Sequence, residues 1–99
     1  METKKQFLKR LRFEFFDDCM ERDNYVCVKC KKNKAVDVHH ITDRHEMPNM
    51  GYVKENGISL CSTCHLKAED KTISENELYK LIKSSKEVAE IESKLLKRE

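Results

Sequence analysis

Residues 36–65 read VDVHHITDRHEMPNMGYVKENGISLCSTCH, and the rest of the chain is organised around this run. It contains the pair His39-His40 and closes on a Cys-x-x-Cys pair followed directly by His65. A second such pair, CVKC, stands just upstream at residues 27–30. Two Cys-x-x-Cys pairs are typical of a closed tetrahedral zinc site. The histidines are then left for a second, chemical site.

The composition predicts a soluble, helix-leaning chain with a thin core. Of its 99 residues, 38% are apolar and 38% charged, with two Gly, one Pro and no Trp. A unit this small usually needs a metal or disulfides to fold. Five cysteines in paired spacing argue against a disulfide framework. The thiols therefore predict a reducing, intracellular (cytoplasmic) location.

No run approaches the roughly 18 apolar residues of a membrane span. Residues 1–12 are mostly charged and have no apolar signal-peptide region. We therefore expect no membrane partner.

The N-terminal segment predicts an amphipathic helix over residues 4–22 that ends at Asp23-Asn24. Its apolar positions recur at helical spacing: Leu8, Leu11, Phe15 and Cys19, with Phe16 and Met20 beside them. Cys19 has no partner at Cys-x-x-Cys spacing, so we expect a buried side chain rather than a metal ligand.

The central segment predicts an α+β fold in the order strand, loop, strand, helix. Residues 36–41 alternate as a strand does, and Gly57–Leu60 forms a second, antiparallel strand. Residues 42–55 have no clear period and form an ordered loop. Ser62 or Thr63 is expected to cap the following helix.

The C-terminal segment predicts one helix, or two with a break near Ser84, because the helix-start signal at Ser74 is repeated there. Apolar residues of this tail are expected to pack on the N-terminal helix or on a second copy of the chain: Val88, Ile91, Leu95 and Leu96. The whole chain is then one domain with an N-terminal helix (1–24), a zinc-stapled core (25–71) and a helical extension (72–99).

The four paired cysteines predict a structural zinc ion bound by Cys27, Cys30, Cys61 and Cys64. Thiolate ligands contribute folding free energy directly, because the unfolded chain has no preformed site. With all four positions filled by protein, no position remains for a substrate.

The histidines predict a second site. Zinc would hold the first strand and the helix together, so that His39 and His65 can converge on another cation, for which imidazole is a suitable ligand. Adjacent strand residues point to opposite faces, so His39 and His40 should not do the same job: one can bind metal while the other stays free as a base at neutral pH. Asn56 can orient a histidine or the loop backbone by hydrogen bonds.

With these residues in place, the chain resembles the HNH endonucleases, and more narrowly their four-cysteine, zinc-containing branch. The similarity covers about residues 22–70. It implies a ββα-metal finger: two antiparallel strands and a helix around one catalytic divalent ion. The helical ends lie outside it.

The resemblance also implies roles. His39 and His65 would bind the catalytic ion (Mg²⁺, Mn²⁺, Ni²⁺ or Zn²⁺), and His40 would be the general base. Asn56 would hold the loop and His40 in place, or touch the metal. The reaction would be hydrolysis of a DNA phosphodiester that leaves 5′-phosphate and 3′-hydroxyl ends, with the cation stabilising the developing charge.

The sequence departs from the family pattern at three places. Thr42 stands where many members have proline, and Gly51 is the only glycine between the strands. Glu69 stands where some members have a further histidine. It is either a metal ligand or, as we favour, a solvent-facing helix acid, which leaves the third protein ligand open.

Basic residues give weaker signals. Residues 1–12 hold five bases against one acid, which suits a polyanion but equally a solvated helix face. Arg44 and Lys67 flank the expected site as candidate DNA-phosphate contacts. His45 is interpreted as a surface loop residue, with phosphate or metal contact as the alternative.

Two other functions fit the sequence. One is a non-catalytic zinc module that binds nucleic acid or a partner protein, although it leaves the histidine spacing unexplained. The other is an accessory nuclease subunit of a larger, phage-like DNA-processing assembly. A homodimer or larger assembly through the terminal helices is also open.

Overall fold

Four α-helices and a two-stranded sheet make up the computed structural model, which describes all 99 residues. The elements are α1 (Lys4–Arg22), β1 (Asp37–His40), β2 (Gly57–Leu60), α2 (Ser62–Glu69), α3 (Glu75–Leu81) and α4 (Lys86–Lys94). This order confirms the α+β class. None of the helices combines the length and the apolar character that crossing a bilayer requires.

Helix α1 begins at a capping box in which Thr3 and Gln6 exchange side-chain and backbone hydrogen bonds. It ends at Asp23, as predicted, and Asn24 follows with a φ of 56°. The buried residues are Phe7, Leu11, Phe15, Cys19 and Met20. The expected apolar face is therefore partly wrong: Phe7 belongs to it, whereas Phe16 is 41% exposed.

The sheet is antiparallel, and its register pairs His39 with Ile58 and His40 with Gly57. Helix α1 crosses β2 at Gly57, where a Cβ atom would lie 2.5 Å from the Phe15 ring and 2.6 Å from Cys19 Sγ. The missing side chain therefore lets α1 approach the strand opposite His40. Cys19 is buried in this contact, as predicted, and burial raises the pKa of its thiol to about 12.

The loop between the strands is ordered, as expected, and contains three short 3₁₀ turns at Arg44–Glu46, Pro48–Gly51 and Lys54–Asn56. Asn49, Met50 and Gly51 all have left-handed backbone, with φ of 50°, 63° and 61°. Asn49 Nδ2 also donates to the backbone oxygen of Ser93 in α4, 2.8 Å away. The loop is thus fixed from the C-terminal side of the chain.

The C-terminal tail forms two helices, and Ser74 and Ser85 cap them through their side chains. At α2, the predicted Ser62 or Thr63 cap is wrong: the N-cap is Cys61, whose side chain makes no capping hydrogen bond. The thiol instead belongs to the cysteine cluster described below.

One of the two expected packing arrangements, that of the C-terminal apolar residues on α1, is not found. Val88, Ile91 and Leu95 are exposed, because α4 turns Ala89 and Ser93 toward the inter-strand loop, which it contacts. Packing against a second copy stays a prediction, as does the division of the chain at residues 24/25 and 71/72.

Candidate active site

The four paired cysteines meet in one cluster in which all Sγ atoms lie within 4.8 Å of one another. Cys30 Sγ and Cys61 Sγ are 3.9 Å apart. Tetrahedral zinc with Zn–S bonds of about 2.3 Å places its sulfurs about 3.8 Å apart. The cluster therefore fits one zinc ion, and it joins the turn after α1 to the start of α2.

Backbone N–H groups of Lys32 and Asn33 lower the pKa of the Cys30 thiol to about 6. The backbone N–H of Cys64 lowers the pKa of Cys61, and Asn33 Nδ2 adds a contact to Cys61 Sγ at 3.8 Å. Burial, together with the neighbouring thiols, raises the pKa of Cys64 to about 12. Four thiolates this close together would need a cation to balance their charge.

His39 from β1 and His65 from α2 face each other, with ring centroids 5.3 Å apart. They border a polar pocket of about 400 Å³. Its other lining residues are Val38, His40, Ile41, Asp43, Arg44, Glu69 and Lys71. Of the two predicted phosphate contacts, Arg44 lines the pocket and Lys67 does not. A different lysine, Lys71, lines it.

Carboxylates flank His65. Its Nε2 lies 2.9 Å from Glu69 Oε1, and its Nδ1 lies 3.8 Å from Asp37 Oδ2. Glu69 is exposed, as expected of a helix acid, yet its carboxylate reaches the histidine. Alternation along β1 could have pointed to Asp37, because it lies two residues before His39 on the same face.

Burial and, to a smaller extent, the neighbouring His65 together lower the pKa of His39 to about 4. The ring is therefore neutral at pH 7, with a nitrogen lone pair available to a cation. The four cysteines are the one group of three or more such side chains that meets closely enough to hold a metal ion, so the donors of His39, His65 and Glu69 do not converge to the same degree.

His40 points away from His39, as the strand alternation predicts. Its ring stacks on Phe15 of α1 at 4.5 Å, and the Tyr52 ring meets it edge-on at 5.2 Å. Burial lowers the pKa of His40, and the positive charge of Arg44 adds to that effect. The Nε2 atom is buried and has no hydrogen-bond partner.

Asn56 is fully buried and holds the loop together. Its Oδ1 accepts from Thr42 N at 3.0 Å and from the Tyr79 hydroxyl at 2.7 Å. Its Nδ2 donates to the backbone oxygens of Thr42 and Gly51, at 3.1 and 3.3 Å. These four bonds exhaust the amide's capacity, so Asn56 has none left for a cation.

Comparison with protein families identifies this segment: residues 27–71 match the family model described as HNH endonuclease. Residues 27–71 form an HNH domain. The match includes the four clustered cysteines, the histidine pair, Asn56 and His65. The match relates this segment to a nuclease family, with nucleic acid as the implied substrate, and the cysteines indicate a zinc-binding variant. Neither the curated proteins nor the solved structures contain a match.

Two side chains outside the HNH domain complete the network around Asn56. Thr42 Oγ1 donates to Glu75 Oε1 at 2.8 Å and lies 2.7 Å from the Tyr79 hydroxyl. Thr42 thus uses both an N–H, which proline lacks, and a hydroxyl. The sequence interpretation missed Tyr79 and Glu75, because a tyrosine beside Leu78 reads only as part of an apolar helix face.

His45 lies on the surface of the inter-strand loop and contacts Asp43, whose Oδ1 is 3.0 Å from its Nδ1. It is outside the pocket lining. The placement agrees with a surface loop residue.

Proposed function

We propose that this chain is a metal-dependent DNA endonuclease that hydrolyses phosphodiester bonds with His40 as general base. The observation that carries the proposal lies within the HNH domain: His39 and His65 face each other across a polar pocket that Arg44 also lines. The neighbouring His40 sits in a different environment, which suits a different task.

His39 and His65 would hold the catalytic divalent ion, with the Glu69 carboxylate as the nearest further ligand. Imidazole and carboxylate suit zinc, nickel or manganese. When bound, the ion would stabilise negative charge on the phosphate and on the leaving 3′ oxygen. Because the three donors do not yet converge, these side chains must close further to bind it.

Arg44 and Lys71 line the pocket and supply positive charge for a phosphate. His40 takes a proton from the attacking water at Nε2, the ring nitrogen without a partner. Burial keeps this ring neutral at pH 7 by lowering its pKa, and the stack on Phe15 sets its plane. Water must displace part of the packing around the ring to reach Nε2.

The test is cleavage of a supercoiled plasmid by purified protein with Mg²⁺, Mn²⁺ or Ni²⁺. We expect nicking that needs one of these ions and falls by about 10²- to 10⁴-fold in His40→Ala, the range for loss of a general base. His45→Ala is the matched control, since that ring is exposed and lies outside the pocket. Equal rates in His40→Ala and wild type would remove His40 from the mechanism.

A non-catalytic zinc module is the second candidate, favoured by the incomplete convergence of the histidine and Glu69 donors. It predicts that the protein binds DNA but does not cleave it with any of the three divalent ions. It also predicts that His39→Ala leaves binding unchanged.

A further inference from the structure

We infer that the exposed face of α1 binds one strand of the DNA substrate beside the cleavage pocket. The inference rests on the proposed function and names a surface outside the HNH domain. It assigns Lys5, Lys9 and Arg12 to backbone phosphates and Tyr52 to the base or sugar next to the scissile bond.

A groove of about 270 Å³ runs along this face, lined by Lys5, Leu8, Lys9, Arg12 and Tyr52. The three basic side chains are exposed. None of them forms an ion pair with a carboxylate. Their positive charges are therefore available to a ligand.

Arg10, on the same helix, shows the contrasting case. Its guanidinium is bound by Glu2 at 2.8 Å and by Glu14 at 3.3 Å. Glu2 and Glu14 thus neutralise Arg10, which does not line the groove. The basic side chains that do line the groove have no carboxylate partner.

The charge order along α1 works against the helix itself. Five bases and one acid stand in residues 1–12, whereas five acids and one base stand in residues 13–24. The first turn holds no acid. Helix dipoles favour acids at the start and bases at the end. Local rules are commonly broken in this way where a function requires it.

The groove and the pocket meet at one pair of rings. Tyr52 lines the groove and its ring lies 5.2 Å from that of His40, which lines the pocket. From Lys5 to Arg12 the helix rises about 10 Å, the length of about three phosphates of one strand in a duplex. Tyr52 adds an aromatic surface of the kind that contacts bases.

The test measures binding of a short fluorescein-labelled DNA duplex by anisotropy, across salt concentrations and without added divalent ion. The variant is Lys5→Ala/Lys9→Ala/Arg12→Ala. The control removes the same charge elsewhere, as Lys80→Ala/Lys83→Asn/Lys86→Ala. Asparagine is used at Lys83 because its φ is 57°, a region that asparagine tolerates. Circular dichroism checks that both variants fold.

We expect the α1 variant to bind about 10- to 100-fold more weakly at low salt. The slope of the logarithm of the binding constant against the logarithm of salt concentration should be shallower by about 2 to 3. The control should keep the wild-type slope to within about 1. Unchanged binding in the α1 variant, an equal loss in the control, or no DNA binding by the wild type would overturn the inference. Selective loss of binding by an α1 variant of a protein that never cleaves plasmid would uphold this surface and refute the nuclease proposal.

Discussion

The thiol cluster and the histidine pocket are built by overlapping parts of one short segment, yet they differ in closure. The sulfurs lie within 4.8 Å of one another and take backbone hydrogen bonds, so an ion there would be enclosed by protein. The imidazoles border about 400 Å³ of open, polar space. A donor set that converges without help suits a structural ion, and one that stays open keeps room for a substrate.

The largest effect is expected at the closed site. Cys27→Ser should abolish stoichiometric zinc binding and the cooperative unfolding transition, because binding free energy at a structural zinc site is largely folding free energy, of the order of 10 kcal/mol. Zinc content by atomic absorption and thermal unfolding by circular dichroism measure this.

Cys19→Ala is the matched control, since Cys19 is buried but lies outside the cluster. It should lower stability by about 1 kcal/mol and leave one zinc ion per chain. If Cys27→Ser retained both zinc and the wild-type melting temperature, the cluster would not be a structural metal site.

A smaller, purely functional effect is expected at the open site. Glu69→Gln removes the charge beside His65 Nε2 and should raise the divalent-ion concentration for half-maximal plasmid cleavage by roughly tenfold. Stability should change by less than about 0.5 kcal/mol, because the Glu69 carboxylate is exposed. The control is Glu90→Gln, which removes an i,i+4 partner of Lys94, and neither residue lines the pocket. Identical ion dependence in the two variants would exclude Glu69 from the site.

The smallest effect on cleavage is expected where the C-terminal helices contact the inter-strand loop. Tyr79→Phe keeps the ring and removes the hydroxyl that donates to Asn56, so the free energy of unfolding should fall by about 1 kcal/mol. Cleavage should slow by about tenfold at most, because the substitution loosens the inter-strand loop but leaves the proposed metal-binding side chains in place.

Tyr25→Phe controls for the loss of a hydroxyl, because Tyr25 is 59% exposed. Chemical denaturation and initial cleavage rates on the same preparations separate the two effects. Equal stability of the Tyr79 and Tyr25 variants would show that the hydroxyl bond to Asn56 contributes nothing.

The sequence predicted those features that depend on spacing. The two Cys-x-x-Cys pairs, the range of α1 and the second strand follow from local chemistry and periodicity, and the structure agrees with each. The opposite directions of His39 and His40 follow from strand geometry alone.

What the sequence did not predict depends on contacts between distant segments. The stack of Phe15 under His40 requires α1 to cross the sheet at Gly57, and no local pattern specifies that crossing. The bond from Tyr79 to Asn56 joins residues 23 positions apart. Val88, Ile91 and Leu95 are exposed because α4 packs its other face against the loop between the two strands.

The positions of Phe15 and Tyr79 set the shortest segment that could be grafted into another protein with the site intact. A transplant of residues 27–71 into a different scaffold would carry every side chain that we propose to bind metal or accept a proton, but not the Phe15 ring that stacks on His40 or the Tyr79 hydroxyl that donates to Asn56. A graft meant to keep the site in shape must therefore extend from the start of α1 to the end of α3.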